Sequence, residues 1–216
     1  MNGSNIDALI IDFGGVLTTP LQDAMAVFAE RQGIELQDLV RVALGLYTGT
    51  EDQLVHDFET GAISEEDFAK GFAARLQEAS GVRVSPEGLV QKMFAVDLEE
   101  DMLSAVKAVK AAGFKTALLS NSWGSSLYPR ARLADLFDAL VISGEVGMRK
   151  PDPRIYALAL ERIQVEPNRS VFVDDHPGHL AAARALGMLT ILHRSPEETI
   201  AELESVFGVR LISGSS

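Results

Sequence analysis

The residues of this chain best equipped for chemistry stand in four short clusters: Asp12-Phe13-Gly14-Gly15, Ser120-Asn121, Lys150-Pro151 and Asp174-Asp175. Carboxylates gathered at one place repel one another unless a cation neutralises them. Two carboxylates and a main-chain carbonyl from a Gly-containing loop are oxygen ligands of the kind Mg2+ takes, and that ion completes its shell with water and phosphate oxygens. A carboxylate held beside such an ion can attack phosphorus in line. Ser120 with Asn121, at what reads as the start of a helix, offers donors to phosphoryl oxygens. Lys150 adds a compact positive charge that can hold a neighbouring carboxylate ionised.

Strands must bring these clusters together. Five apolar runs, at 6–11, 114–119, 139–142, 170–173 and 188–192, have strand length and no clear polar alternation, as expected for strands buried on both faces. A cluster follows each of the first four. Helical patterns at 101–112, 153–163 and 179–186 alternate with the runs, which predicts right-handed crossovers and an α/β fold. The expected core is a doubly wound, parallel, five-stranded Rossmann-like sheet, with its ligand site beyond the carboxyl ends of the strands. Roughly one hundred residues separate the first run from the second, far more than a crossover helix takes. Within them, 21–31, 35–46, 51–59 and 65–78 read as helices, the last opened by a capping box of Ser64 and Asp67. Residues 18–92 are therefore expected to form an inserted all-helical cap domain, and residues 1–17 and 93–216 the core. Ser195-Pro196-Glu197-Glu198 opens a last helix, and 211–216 reads as a tail.

Composition narrows the field of partners. The 216 residues carry 19 Lys and Arg against 31 Asp and Glu, a net charge of −12. Such a balance repels phosphate backbones and anionic lipid, so neither nucleic acid nor membrane is expected as a partner. The absence of Cys excludes a disulfide framework, thiol catalysis and thiolate metal sites. Residues 1–11 have neither Lys nor Arg and only a short apolar run, unlike a secretory signal, and no stretch approaches the ~20 apolar residues of a membrane helix. A cytoplasmic protein is the default expectation. His176 and His179 straddle a Pro-Gly turn, a spacing that suits a polar loop and helix start better than zinc. Phe58 is expected to pack within the cap, and Trp123 to pack under it in preference to lining the substrate pocket.

The order Asp12, Ser120, Lys150, Asp174-Asp175, with a helical insert after the first motif, resembles the haloacid dehalogenase (HAD) superfamily with a helical cap. Residues 116–192 resemble the N-terminal phosphatase-type domain of soluble epoxide hydrolases, down to Val146-Gly147-Met148-Arg149-Lys150-Pro151-Asp152-Pro153 running into Ile155-Tyr156. The resemblance implies a Mg2+-dependent phosphohydrolase of a small phosphorylated molecule, working through an aspartyl-phosphate. It makes Asp12 the nucleophile and a metal ligand, the Gly14 carbonyl a second ligand and Asp175 a direct ligand, with Asp174 on Lys150 or on a metal-bound water. Ser120 and Lys150 complete the catalytic set, and Gly15, Ser120, Asn121 and Lys150 hold the phosphoryl group.

One departure stands out. Most phosphatases of the family carry a second Asp two residues after the nucleophile, where this chain has Gly14. General acid–base help contributes about 10²–10⁴ in rate, so simple alkyl phosphates should turn over slowly. A good leaving group, or an acid from the cap such as Glu51, Asp52, His56 or Asp57, would compensate. Two alternatives stand beside the phosphohydrolase. One is a catalytically weak phosphate-binding or regulatory protein, suggested by Gly14. The other is a metal-free 2-haloacid dehalogenase, though those enzymes usually carry an aromatic residue in place of Gly14 and lack the acidic pair. Specificity in capped enzymes comes from the insert, for which the sequence holds no code. It is equally silent on oligomeric state, although an exposed cap face could support a dimer.

Overall fold

The computed structural model describes residues 6–48 and 53–211. The chain runs from β1 (Ala8–Ile11) into the insert helices α1 (Leu21–Gln32), α2 (Leu36–Thr48), α3 (Leu54–Glu59), α4 (Glu65–Ser80) and α5 (Leu89–Met93). It returns through α6 (Glu100–Ala111), β2 (Lys115–Ser120), α7 (Arg130–Leu136), β3 (Ala139–Ile142) and α8 (Ser143–Val146). It closes with α9 (Pro153–Ile163), β4 (Ser170–Asp174), α10 (Pro177–Ala185), β5 (Leu189–Leu192) and α11 (Pro196–Phe207). All five apolar runs are strands. They form one parallel sheet in the order β3-β2-β1-β4-β5, with β1 at the centre.

Alternation along each strand feeds two cores. Leu9, Ile11, Leu118, Val171 and Val173 face α6 and α11, while Ala8, Ile10, Ala117, Leu119 and Phe172 face α9 and α10. Both faces are covered by helices, which is why the strands read as unbroken apolar runs. Ile11 sits level with Leu118 on one side and Val173 on the other, so the loops after β1, β2 and β4 emerge at one rim.

The insert has its own apolar cluster, including Phe28, Leu39, Phe58, Phe68, Phe72 and Leu76. Phe58 stacks on Phe68 with ring centroids 4.1 Å apart. The expected pairing of Ser64 and Asp67 is present as an N-cap: Ser64 Oγ accepts the Asp67 N–H at 3.1 Å, and the Asp67 carboxylate accepts the Ser64 hydroxyl at 2.7 Å rather than the Ser64 N–H of a full capping box. The two segments that join insert to sheet lie side by side. The Thr19 N–H donates to Asp97 O at 2.9 Å and the Glu99 N–H to Leu17 O at 3.0 Å. Helices α5, α7 and α8 were not expected; at five, seven and four residues they are too short to display a helical period. Glu51, Asp52 and the expected tail from 212 lie outside the described residues. Among the described residues, no helix is long and apolar enough to cross a membrane.

Candidate active site

β1 delivers Asp12 to the rim, its N–H continuing the ladder to Val173 O at 3.0 Å. Its Oδ1 accepts the Phe13 N–H at 2.7 Å and lies 2.8 Å from Lys150 Nζ. Oδ2 has no protein partner among the described residues. Gly15 then turns the chain in the left-handed region, φ +72°, and donates to Thr18 Oγ1 at 3.0 Å. A Cβ on Gly15 would fall 2.6 Å from Asp175 Oδ2. Only glycine fits there, and that same approach places the Asp175 carboxylate over the Asp12 loop.

Lys150 is fully buried, its ammonium also 2.7 Å from Asp174 Oδ2. Asp174 accepts the His176 N–H at 2.7 Å and has His179 Nδ1 3.1 Å from each oxygen. Burial works against the Lys150 charge, but Asp12 and Asp174 outweigh it and hold its pKa well above the usual lysine range. Burial likewise opposes the charge on Asp174; Lys150 and then His179 prevail and keep it well below the usual carboxylate range. Asp12 goes the other way, pushed up to about 6 by burial despite Lys150. Asp175 is raised by burial and by its neighbour Asp174, and His179 is lowered by burial. Two carboxylates, Asp12 and Asp174, thus share one ammonium, and Asp175 lies within its field. Asp12, Asp174 and His179 also bring one potential ligand atom each within 4.8 Å of the others. Both carboxylates of that trio, however, already share Lys150 Nζ, whose charge would repel a divalent ion there.

The end of β2 differs from expectation. Ser120 is buried, but no helix starts at Ser120-Asn121. Gly124 takes φ +107°, one 3₁₀ turn spans Ser125–Leu127, and α7 begins only after Pro129. Ser120-Asn121 therefore opens no helix, and α8 instead meets this loop through its first residue, Ser143, whose Oγ accepts the Ser122 N–H at 2.7 Å. The Asn121 side chain is also engaged: its Oδ1 accepts the Lys150 N–H at 2.8 Å and its Nδ2 donates to Lys150 O at 3.1 Å. It ties two loops together, and the Asn121 carbonyl accepts from the Ser120 and Tyr128 hydroxyls, which leaves the main-chain N–H for other work.

Tyr128, which no sequence signal marked, places its hydroxyl 2.9 Å from Ser120 Oγ and its ring 4.8 Å from that of Phe13. Burial raises its pKa, so it stays protonated. Phe13, Gly14, Leu21, Phe94, Trp123 and Tyr128 line a cavity of about 30 Å³ beside Ser120, a mostly apolar space between insert and core. Trp123 both lines it and packs on Phe94 at 4.6 Å. His56 and Asp57 pair with each other on the exposed side of α3 and do not line this cavity.

The chain matches a known family: residues 6–187 fit the model of the haloacid dehalogenase-like hydrolases. The chain belongs to that family. This HAD-like hydrolase is 34% identical to bifunctional epoxide hydrolase 2 of Sus scrofa over 220 residues, covering 95% of this chain and 39% of the pig protein. It is 29% identical to the phosphorylated carbohydrates phosphatase of Thermotoga maritima, over 85% of this chain and 82% of that one. Among solved structures, a HAD family enzyme of Bacteroides thetaiotaomicron in complex with magnesium and inorganic phosphate shares the fold. Its TM-score is 0.64 at 24% identity, with 88% of this chain and 94% of that chain covered. The chain spans 20–39% of the length of the first curated relatives it matches. The expected family, and the parallel α/β sheet with a helical insert, are borne out.

Proposed function

We propose that this hydrolase removes the phosphoryl group from a small organic phosphate, with Asp12 as nucleophile and Mg2+ as cofactor. In this reading the cap is residues 18–92 and the core residues 1–17 and 93–216. The donor set fits the ion: Asp12, the Gly14 carbonyl and Asp175 offer only oxygen, and the excess carboxylate charge at the rim calls for a cation. When bound, Mg2+ would neutralise charge on the phosphoryl oxygens. Asp12 attacks phosphorus as the bond to the organic oxygen breaks, and a water then hydrolyses the resulting aspartyl-phosphate. Lys150 keeps Asp12 ionised, Asp174 holds Lys150 in place, and Ser120 with the Asn121 main-chain N–H grips the phosphoryl group, whereas the Gly15 N–H is already held by Thr18 Oγ1. The observation that carries this reading is Lys150 Nζ shared between Asp12 and Asp174, with Asp12 Oδ2 left without a protein partner among the described residues.

The cavity lining favours an apolar organic group over a sugar. Phe13, Leu21, Phe94, Val96 and Trp123 dominate it, and its polar side chains, Thr18, Ser120, Asn121 and Tyr128, already bond one another or the main chain. The expected result is Mg2+-dependent phosphate release from p-nitrophenyl phosphate, lost at least about 10³-fold in Asp12→Asn, with sugar phosphates poorer than apolar esters. Activity indifferent to chelator and to Asp12→Asn rejects the proposal. Phosphate binding without turnover would point to a regulatory protein, and chloride release from a 2-haloacid in chelator to a dehalogenase.

A further inference from the structure

One buried titratable group has no task in that chemistry. Glu59, the last residue of α3, is fully buried. Arg149 Nε lies 2.8 Å from its Oε2, yet neither carboxylate oxygen completes a hydrogen bond with any described residue. Buried polar atoms are rarely left this way, and such groups gather at functional sites. Burial, opposed by Arg149 and then Lys150 and reinforced by Asp12, pushes the Glu59 pKa up to about 7.

The surroundings of Glu59 belong to the phosphoryl cradle. Its main-chain carbonyl accepts the Ser143 hydroxyl, and the same Ser143 Oγ accepts the Ser122 N–H at 2.7 Å, two residues past Ser120. Arg149 immediately precedes Lys150, whose main chain is clamped by the Asn121 side chain. Just beyond, Gly61 turns with φ +74°, so close to the core that a Cβ there would collide with the Gly144 carbonyl oxygen. One turn of the insert therefore touches both core loops that hold the phosphoryl site.

We propose that Glu59 is a positioning residue: acting through Arg149, it ties the α3–α4 turn to the loops carrying Ser120-Asn121 and Lys150, so that the cradle is set only while the insert sits against the core. Its effect on turnover rests on the phosphohydrolase reading; its effect on the loops does not. The carboxylate and guanidinium contribute together, so removal of either should release the same loops.

Two measurements on the full chain test this. The first is amide hydrogen exchange in the metal-free protein. Glu59→Gln and Arg149→Gln are each expected to speed exchange at the Ser122 and Lys150 amides about tenfold while leaving β4 unchanged. The double variant should go no further than the stronger single, since both remove one contact. The second is steady-state hydrolysis of p-nitrophenyl phosphate with Mg2+, where each variant should raise KM several-fold more than it lowers kcat. Unaltered exchange at both amides, single effects that multiply in the double variant, or a kcat loss with KM unchanged overturns the proposal. If the unaltered protein releases no phosphate, the phosphohydrolase reading fails and the exchange result alone decides. Should Glu59→Gln not fold, Arg149→Lys, which keeps the charge but changes the geometry, carries the same exchange test.

Discussion

A side chain on Gly14 would set its Cβ 3.4 Å from Leu21 Cδ1, at the edge of ordinary contact, and the residue is not in the left-handed region. Gly14→Asp therefore fits without rebuilding the loop, and it would put a carboxyl beside the cavity. Turnover of an alkyl phosphate should rise about 10²-fold, while an aryl ester, whose leaving group needs no proton, should change little. An alkyl rate that stays flat or falls means the proton comes from elsewhere. Glu59 gives a second residue-level test. Its pKa is raised from 4.5 to about 7 by burial, against Arg149 and Lys150 and with Asp12. A raised folded value means that stability tied to the neutral acid is complete below pH 4.5 and lost as pH climbs through about 7. Gln has no proton to lose. Urea unfolding should show Glu59→Gln gaining on the unaltered protein by up to about 3 kcal/mol between pH 5 and pH 8; a gap constant with pH contradicts it. The rim residues Asp12, Ser120, Lys150, Asp174 and Asp175 were legible in the sequence because each follows an apolar run. Glu59, Tyr128 and His179 were not, because their neighbours are set by packing across many intervening residues.

At the level of elements, the strands were legible because helices cover both faces of the sheet, leaving continuous apolar runs. The loop after β2 was misread as a helix start because Ser-Asn is a common cap. Gly124 in the left-handed half of backbone space and Pro129 before α7 defer the helix instead. The α3–α4 turn permits a paired test. Gly61 and Gly81 both take φ +74°, but a Cβ on Gly81 meets nothing within 4 Å whereas one on Gly61 collides with the Gly144 backbone. Gly81→Ala carries only backbone strain, about 1 kcal/mol. Gly61→Ala should cost roughly 2–4 kcal/mol and should also lower kcat/KM, because it pushes the insert off the core. Equal losses in urea unfolding would mean that the Gly61 contact contributes nothing.

For the whole molecule, charge and closure are linked. The cavity of about 30 Å³ has room for little more than a water, so only part of an organic phosphate would fit in it with insert and core as they stand. The protein as a whole carries −12, and Asp12, Asp174 and Asp175 concentrate part of that charge around a single Lys150. Any salt will screen the general repulsion, but only an ion held at the rim stabilises by mass action. At one hundred times its dissociation constant that linkage is worth about 2.7 kcal/mol, or a Tm rise of roughly 5–10 °C for a chain of this size. Mg2+ should therefore raise Tm well beyond NaCl of matched ionic strength. Asp175→Asn should abolish the excess, because it removes a proposed ligand while leaving the Asp12–Lys150–Asp174 cluster in place. Identical melting in Mg2+ and in matched NaCl would show that the rim holds no magnesium, and that Lys150 alone balances its carboxylates.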